Sequence, residues 1–227
     1  MSRNRGEHAL CRKLLAVING NINKDLYWGI LGFPDPLSLN DQIWDSVTIA
    51  AYEAYLQAKV FGPSGVVGAT LDHSPACALA YRGPDDTKPG WNSGNLQESC
   101  GYAGWHLSIK QLLDVMGEFR RGGGILKPAA AQAMLDNGFG VDPLAGNSAL
   151  PAALTTLAGN VYCKPGNWND PNQQDEQCLA FFLPEDMELA VLVNSMVAGQ
   201  IGSTNNFRQV VKQAYLDNLT TQPPVHL

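Results

Sequence analysis

The sequence predicts an α+β domain in which helices come first and an antiparallel sheet closed by a last helix comes at the end. Three observations carry this expectation. The first half of the chain repeats apolar residues at the spacing of a helix face, each repeat ending at a helix stop. Two apolar runs of strand length, 177–183 and 188–193, are joined by Pro184-Glu185-Asp186. A final helical stripe then follows at Phe207, Val210, Val211, Ala214 and Tyr215.

Taken in order, Ala9, Leu10, Lys13, Leu14, Val17 and Ile18 form the stripe of a first helix that stops at Asn19-Gly20. A polar link with Pro34 and Pro36 leads to a second helix over 41–60. Its apolar side holds Ile43, Trp44, Val47, Ala50, Ala51, Ala54, Tyr55 and Ala58, and Phe61-Gly62-Pro63-Ser64-Gly65 ends it. Residues 62–104 hold four prolines and many glycines and read as a long irregular excursion of the binding-loop kind. Trp91 lies within it, either as a substrate-facing side chain or as a packed one. Ser108 and Gln111, three apart before an apolar run, form a capping box for a helix carrying Leu112, Leu113, Val115, Met116 and Phe119. Arg120-Arg121-Gly122-Gly123-Gly124 closes that helix, with cations at its negative end and glycine in the turn. A short proline-led helix is expected over 128–135 and short strands over 138–141 and 157–162. Both hairpin runs are nearly continuous in apolar residues, so both faces of the sheet are expected to be covered, with Pro184 presetting the turn. Residues 1–137 thus read as a mainly helical lobe with the loop 62–104. Residues 138–227 read as the sheet and C-terminal helix, the two packed as one domain.

With 227 residues, 45% hydrophobic and 16% charged, the chain has the composition of a globular protein with a real core. A net charge of −6 disfavours nucleic acid as a partner. No stretch approaches the roughly 20 apolar residues of a membrane span. The first residues have no apolar run behind Arg3 and Arg5, so the chain as written is expected to stay in the cytoplasm. Cys11, Cys77, Cys100, Cys163 and Cys178 are odd in number and widely spaced, and read as free, buried thiols. No Cys-x-x-Cys or His-Glu-x-x-His occurs, so no metal and no cofactor is expected. His73 and His106 read as structural histidines and Trp105 as a core anchor.

Four segments together resemble the β-lactamase-related serine hydrolases (class C β-lactamases, penicillin-binding proteins and related esterases). Val60-Phe61-Gly62-Pro63-Ser64-Gly65 resembles the family's helix-ending Phe-x-Pro-x-Gly loop. Gly101-Tyr102-Ala103-Gly104-Trp105-His106 resembles its glycine-rich helix entry. Tyr162-Cys163-Lys164-Pro165-Gly166 resembles its Lys-Thr-Gly strand, and Phe182 through Ser195 resembles its last two strands. The resemblance implies a β-lactamase/transpeptidase-like fold and acyl transfer to a serine from a small β-lactam, peptide or ester. It carries over Lys164 and Gly166 as catalytic positions. Tyr162, on the same strand face as Lys164, Trp168, which could stack on a ligand, and Trp91 of the loop read separately as substrate-binding positions. These 227 residues contain no Ser-x-x-Lys, and Arg3-Asn4-Arg5 stands where the family's tyrosine motif is expected. Arginine cannot accept the proton that tyrosine takes. The chain therefore reads as a C-terminal portion of such a hydrolase, inactive alone, or else as a non-catalytic binding protein that kept the cleft. The resemblance also implies a bare sheet edge at 188–193, open to dimerisation or strand exchange.

Overall fold

A computed structural model describes residues 4–20, 36–72, 77–83, 87–143, 161–169, 174–195, and in the last stretch 208, 210–211, 213–215 and 217–218. The chain is a mixed α+β protein with several helices and a small antiparallel sheet. It divides into two compact units, residues 1–75 with 94–108 and residues 76–93 with 109–227. Among the described residues no helix is long and apolar enough to cross a membrane.

The first unit holds helices α1 (Asn4–Ile18) and α2 (Pro36–Leu56). The second helix starts five residues earlier than expected, at Pro36, because a first-turn proline gives up only an N–H that would be unpaired there anyway. Its α-helical bonding ends at Leu56 and widens into a π-helical turn, Gln57–Phe61, in which the Gly62 N–H reaches back to the Gln57 oxygen at 2.8 Å. Phe61 is buried, and its ring meets Trp105 edge-on at 5.0 Å. Trp105 donates its indole N–H to the Cys100 carbonyl at 3.0 Å, which satisfies the one polar atom of the ring.

An apolar stripe ordinarily turns a helix toward its core. On α1 the reverse holds. Leu14, Val17 and Ile18 are 57%, 52% and 81% exposed, while Arg12 and Ala16 are buried. Arg12 reaches α2, donating to the Asp45 carboxylate at 2.7 Å, the Asp45 carbonyl at 3.1 Å and the Thr48 hydroxyl at 2.8 Å. Three acceptors in one place pin the rotation of α1, and its apolar stripe follows from that orientation.

The second unit contains α3 (Ile109–Gly117), which begins immediately after Ser108, and α4 (Pro128–Asp136). The sheet consists of β1 (Asp142–Pro143), β2 (Tyr162–Asn169), β3 (Asp175–Phe182) and β4 (Glu188–Val193), paired antiparallel in that order. The strand expected over 138–141 is instead a turn: Gly138 and Gly140 both adopt left-handed conformations, and only Asp142 and Pro143 pair with β2. Of the strand expected over 157–162, residues 157–160 lie outside the described residues, as do His73 and Phe207.

Strand alternation sends Phe181 and Phe182 to opposite faces, and each anchors a separate core. Phe181 packs with Cys163, Leu179 and Leu183, against Val211 and Tyr215 of the C-terminal helical residues. Phe182 packs with Tyr162 and Ala190, against Met116 of α3 and Leu135 of α4, and its ring meets Phe119 at 5.6 Å. The β3–β4 hairpin is present, but Pro184 stands before the turn centre. Glu185 and Asp186 occupy the centre with φ of 58° and 57°, the geometry of a type I′ turn, whose twist matches the strands. Proline, locked near φ −65°, could not sit at either place. Arg120 and Arg121 hold this turn down. Arg120 donates to the Leu183 carbonyl at 2.8 Å, and Arg121 to the Asp186 carbonyl at 2.6 Å and to the Glu188 carboxylate.

Two stability predictions follow from these contacts. Asp45→Ala leaves the Arg12 guanidinium buried without its counter-charge and is expected to cost about 3 kcal/mol in chemical denaturation. Lys13→Ala, which removes a half-exposed ammonium 3.8 Å from the same carboxylate, is expected to cost well under about 1 kcal/mol. Equal effects from the two would remove Arg12 as the pin. Replacing Glu185-Asp186 by Asn-Gly, the residues a type I′ turn favours, is expected to raise stability by about 1 kcal/mol; a loss would mean that Asp186 matters more through its carboxylate than through its backbone.

Candidate functional site

By the alternation of β2, Tyr162, Lys164, Gly166 and Trp168 lie on one face of the sheet. Their neighbours across the register are Phe182, Ala180, Cys178 and Glu176 on β3, and β4 adds Glu188, Ala190 and Leu192. Helices α3 and α4 cover one end of this face, where Tyr162, Phe182 and Ala190 are buried. The other end is open. Lys164 and Cys178 are exposed, Leu192 is 43% exposed, and Gly166, Trp168 and Glu176 are half-buried.

The structure therefore separates the residues proposed from sequence. Tyr162 sits at the covered end, where its hydroxyl donates to Asp136 Oδ1 at 2.5 Å. Lys164, Gly166 and Trp168 share the open end. Trp91 belongs to a different segment, paired with Ala80 through two N–H···O bonds of 2.8 Å. That segment continues to Tyr81, which inserts between the ends of β3 and β4, pairing with Asp175 on one side and Ser195 on the other. Trp91 thus lies toward the same end of the sheet as Trp168, carried there by a ladder that period-2 reading did not show.

Crowding shapes the open end. A Cβ placed on Gly166 would lie 2.7 Å from Cys178 Sγ, so the thiol occupies the space that any other side chain at 166 would need. Lys164 is the diagonal neighbour of Cys178 in the register, about 7–8 Å away backbone to backbone and within reach of a lysine stem. Desolvation by the surrounding protein atoms raises the Cys178 thiol pKa, with Lys164 and the Gly166 backbone each pulling it back in part. A thiol above its ordinary value stays protonated at neutral pH and is a poor nucleophile. Desolvation, and then the neighbouring Asp175 charge, likewise raise the Glu176 carboxyl. On the other sheet face, Cys163 is buried and its thiol is pushed up to about 12. The open end thus offers a cation, a glycine floor and an indole, beside a protonated thiol and a carboxyl whose pKa is raised by desolvation.

Two features were not legible in the sequence. Cys11 and Cys178 are exposed, whereas all five cysteines had read as buried; in Cys178 the reason is that α3 and α4 stop short of its end of the sheet. The second feature is a buried polar group at the start of β3. Gln174 donates to the Pro89 carbonyl at 2.8 Å and Gln177 to Asp175 Oδ2 at 2.8 Å, and all three side chains are buried. The alternation of Asp175 and Gln177 with Leu179 and Phe181 was the available signal. It places the polar pair on the same face as the apolar pair, at the end of β3 where Tyr81 pairs with Asp175. Among the described residues no group of three or more His, Cys, Asp or Glu side chains gathers as a metal site.

No family model matches the chain, and no curated protein or solved structure matches it.

The Tyr162–Asp136 bond makes the covered end pH-sensitive. Hydrogen bonds from Tyr162 and then Gln132 hold the Asp136 carboxyl below its ordinary value of 3.8. A carboxyl lowered on folding adds stability above its unfolded value and loses it as pH falls through the folded one. Thermal midpoints measured from neutral pH down through this window should fall less steeply in Tyr162→Phe than in the unsubstituted chain. Superimposable pH profiles would show that the bond contributes nothing to folding.

Proposed function

We propose that this chain is the sheet-bearing part of a β-lactamase-like acyl-transfer protein, and that these residues bind small carboxylate-bearing acyl compounds without cleaving them. The observation that carries the reading is the placement of Lys164 and Gly166. They stand two apart on β2, on the half of the sheet face that the helices leave open, beside Trp168. An ammonium there is a point charge for a carboxylate, and a half-buried indole four residues further along the same strand face favours the apolar body of a ligand.

The layering supports the finer fold assignment. Helices cover one face of an antiparallel hairpin sheet, and C-terminal helical residues cover the other. The four sequence segments that resemble the β-lactamase-related hydrolases fall in the order which that fold requires. Acyl transfer needs a hydroxyl activated by a nearby base, and these 227 residues hold no Ser-x-x-Lys. Cys178, diagonal to Lys164 on the same sheet face, is biased toward its protonated thiol. Binding without turnover is the activity that such a set of groups supports.

Titration of the full chain with penicillins, short acyl-peptides and aryl esters tests this, with binding followed by calorimetry and turnover by absorbance. Saturable binding of the carboxylate-bearing compounds is expected, weakened about tenfold by Lys164→Ala, with partial retention in Lys164→Arg. Gly166→Val is expected to abolish binding, because its side chain must displace Cys178 Sγ. Stoichiometric acylation of the chain by a penicillin would replace the binding reading with an enzymatic one. Absence of binding, or binding indifferent to Lys164, would remove the site.

A further inference from the structure

β4 is last in the strand order, and its outer edge carries no strand among the described residues. Edge strands are ordinarily blunted by lysine, proline, a bulge or a covering element. Glu188-Leu189-Ala190-Val191-Leu192-Val193 has no lysine or proline and pairs with β3 without interruption, and its single charge, at Glu188, is engaged at one end by Arg120 and Arg121. Tyr81 does not cap this edge, because it inserts on the inner side, between Asp175 and Ser195.

We propose that β4 pairs antiparallel with β4 of a second copy of this chain, about a twofold axis at Val191. The occupant follows from charge and register. A twofold axis normal to the sheet keeps the two apolar layers aligned only when residues on like faces pair, which restricts the choice to pairings centred on a residue of β4. Centring on Ala190 would set the exposed Leu192 opposite the carboxylate of Glu188 in the other copy. Centring on Val191 sets Leu192 beside the small Ala190, Leu189 beside Val193, and Glu188 beside the polar Asn194. Centring on Leu192 would cover that residue with its own copy but set Ala190 opposite Asn194 and Leu189 opposite Ser195. The Val191 pairing alone covers Leu192, 43% exposed in the single chain, keeps every residue of 189–193 opposite an apolar one and leaves both carboxylates outside the paired stretch. The proposal goes beyond ligand binding and does not rest on it.

Sedimentation of the full chain over a range of micromolar concentrations reads the association directly, and a concentration-dependent dimer is expected. Leu192→Lys is expected to raise the dissociation constant about tenfold or more while leaving the circular dichroism spectrum unchanged, since this side chain already reaches solvent. Val191→Cys is expected to give, on mild oxidation, a disulfide between the two copies of residue 191, identified by peptide mass mapping. A chain that stays monomeric throughout overturns the proposal and leaves the edge to another occupant. A dimer that ignores Leu192→Lys and forms no 191–191 disulfide overturns it equally, because association would then use another surface.

Discussion

Adjacent phenylalanines on β3 organise the second unit. Phe181 and Phe182 are neighbours in the chain, yet strand geometry sends them to opposite faces, and each is almost fully buried in its own core. Neither face of the sheet could be left to water at this end without exposing a large aromatic ring, at a cost of roughly 1.5–3 kcal/mol for each. The helices on one side and the C-terminal helical residues on the other are therefore both required. A slip of one residue in the pairing of β3 would exchange the two cores, which is why the register is held from Tyr162–Phe182 through Asn169–Asp175 without a bulge.

That demand is local to one end, and the candidate site arises from its limit. Further along the same face the side chains are lysine, glycine, a half-buried tryptophan and a thiol, and of these only the indole needs cover on the scale of a phenylalanine. Lys164 and Leu192 flank strand positions that would be core in a fully layered sheet. The protein atoms around them raise the thiol and carboxyl pKa values of Cys178 and Glu176 without shutting out solvent. A half-covered sheet face thus combines an exposed cation with a thiol held in its protonated form, an arrangement suited to holding an anion and poorly suited to nucleophilic attack.

The first unit is governed by a polar constraint. Arg12 satisfies three acceptors on α2, and the surroundings of that cluster also raise the Tyr52 hydroxyl pKa to about 12 and the Cys100 thiol to about 11, chiefly by desolvation. Leaving the guanidinium buried and unpaired would be more costly than leaving Leu14, Val17 and Ile18 partly in water, so the charge decides how α1 is rotated.

Local periodicity was enough to place the α+β class, the helices and the hairpin, because side-chain direction in helices and strands is a property of the backbone alone. It also led to two misreadings of the same kind: a strand at 138–141, where two left-handed glycines make a turn, and a proline-set hairpin, where two non-glycine residues take positive φ. What lies over each face was decided by tertiary structure. The outward stripe of α1, the burial of Asp175 and Gln177, the exposure of Cys178 and the open half of the sheet all depend on distant segments. A sequence pattern marks which residues share a face, but the energy of covering that face belongs to whatever chain packs against it.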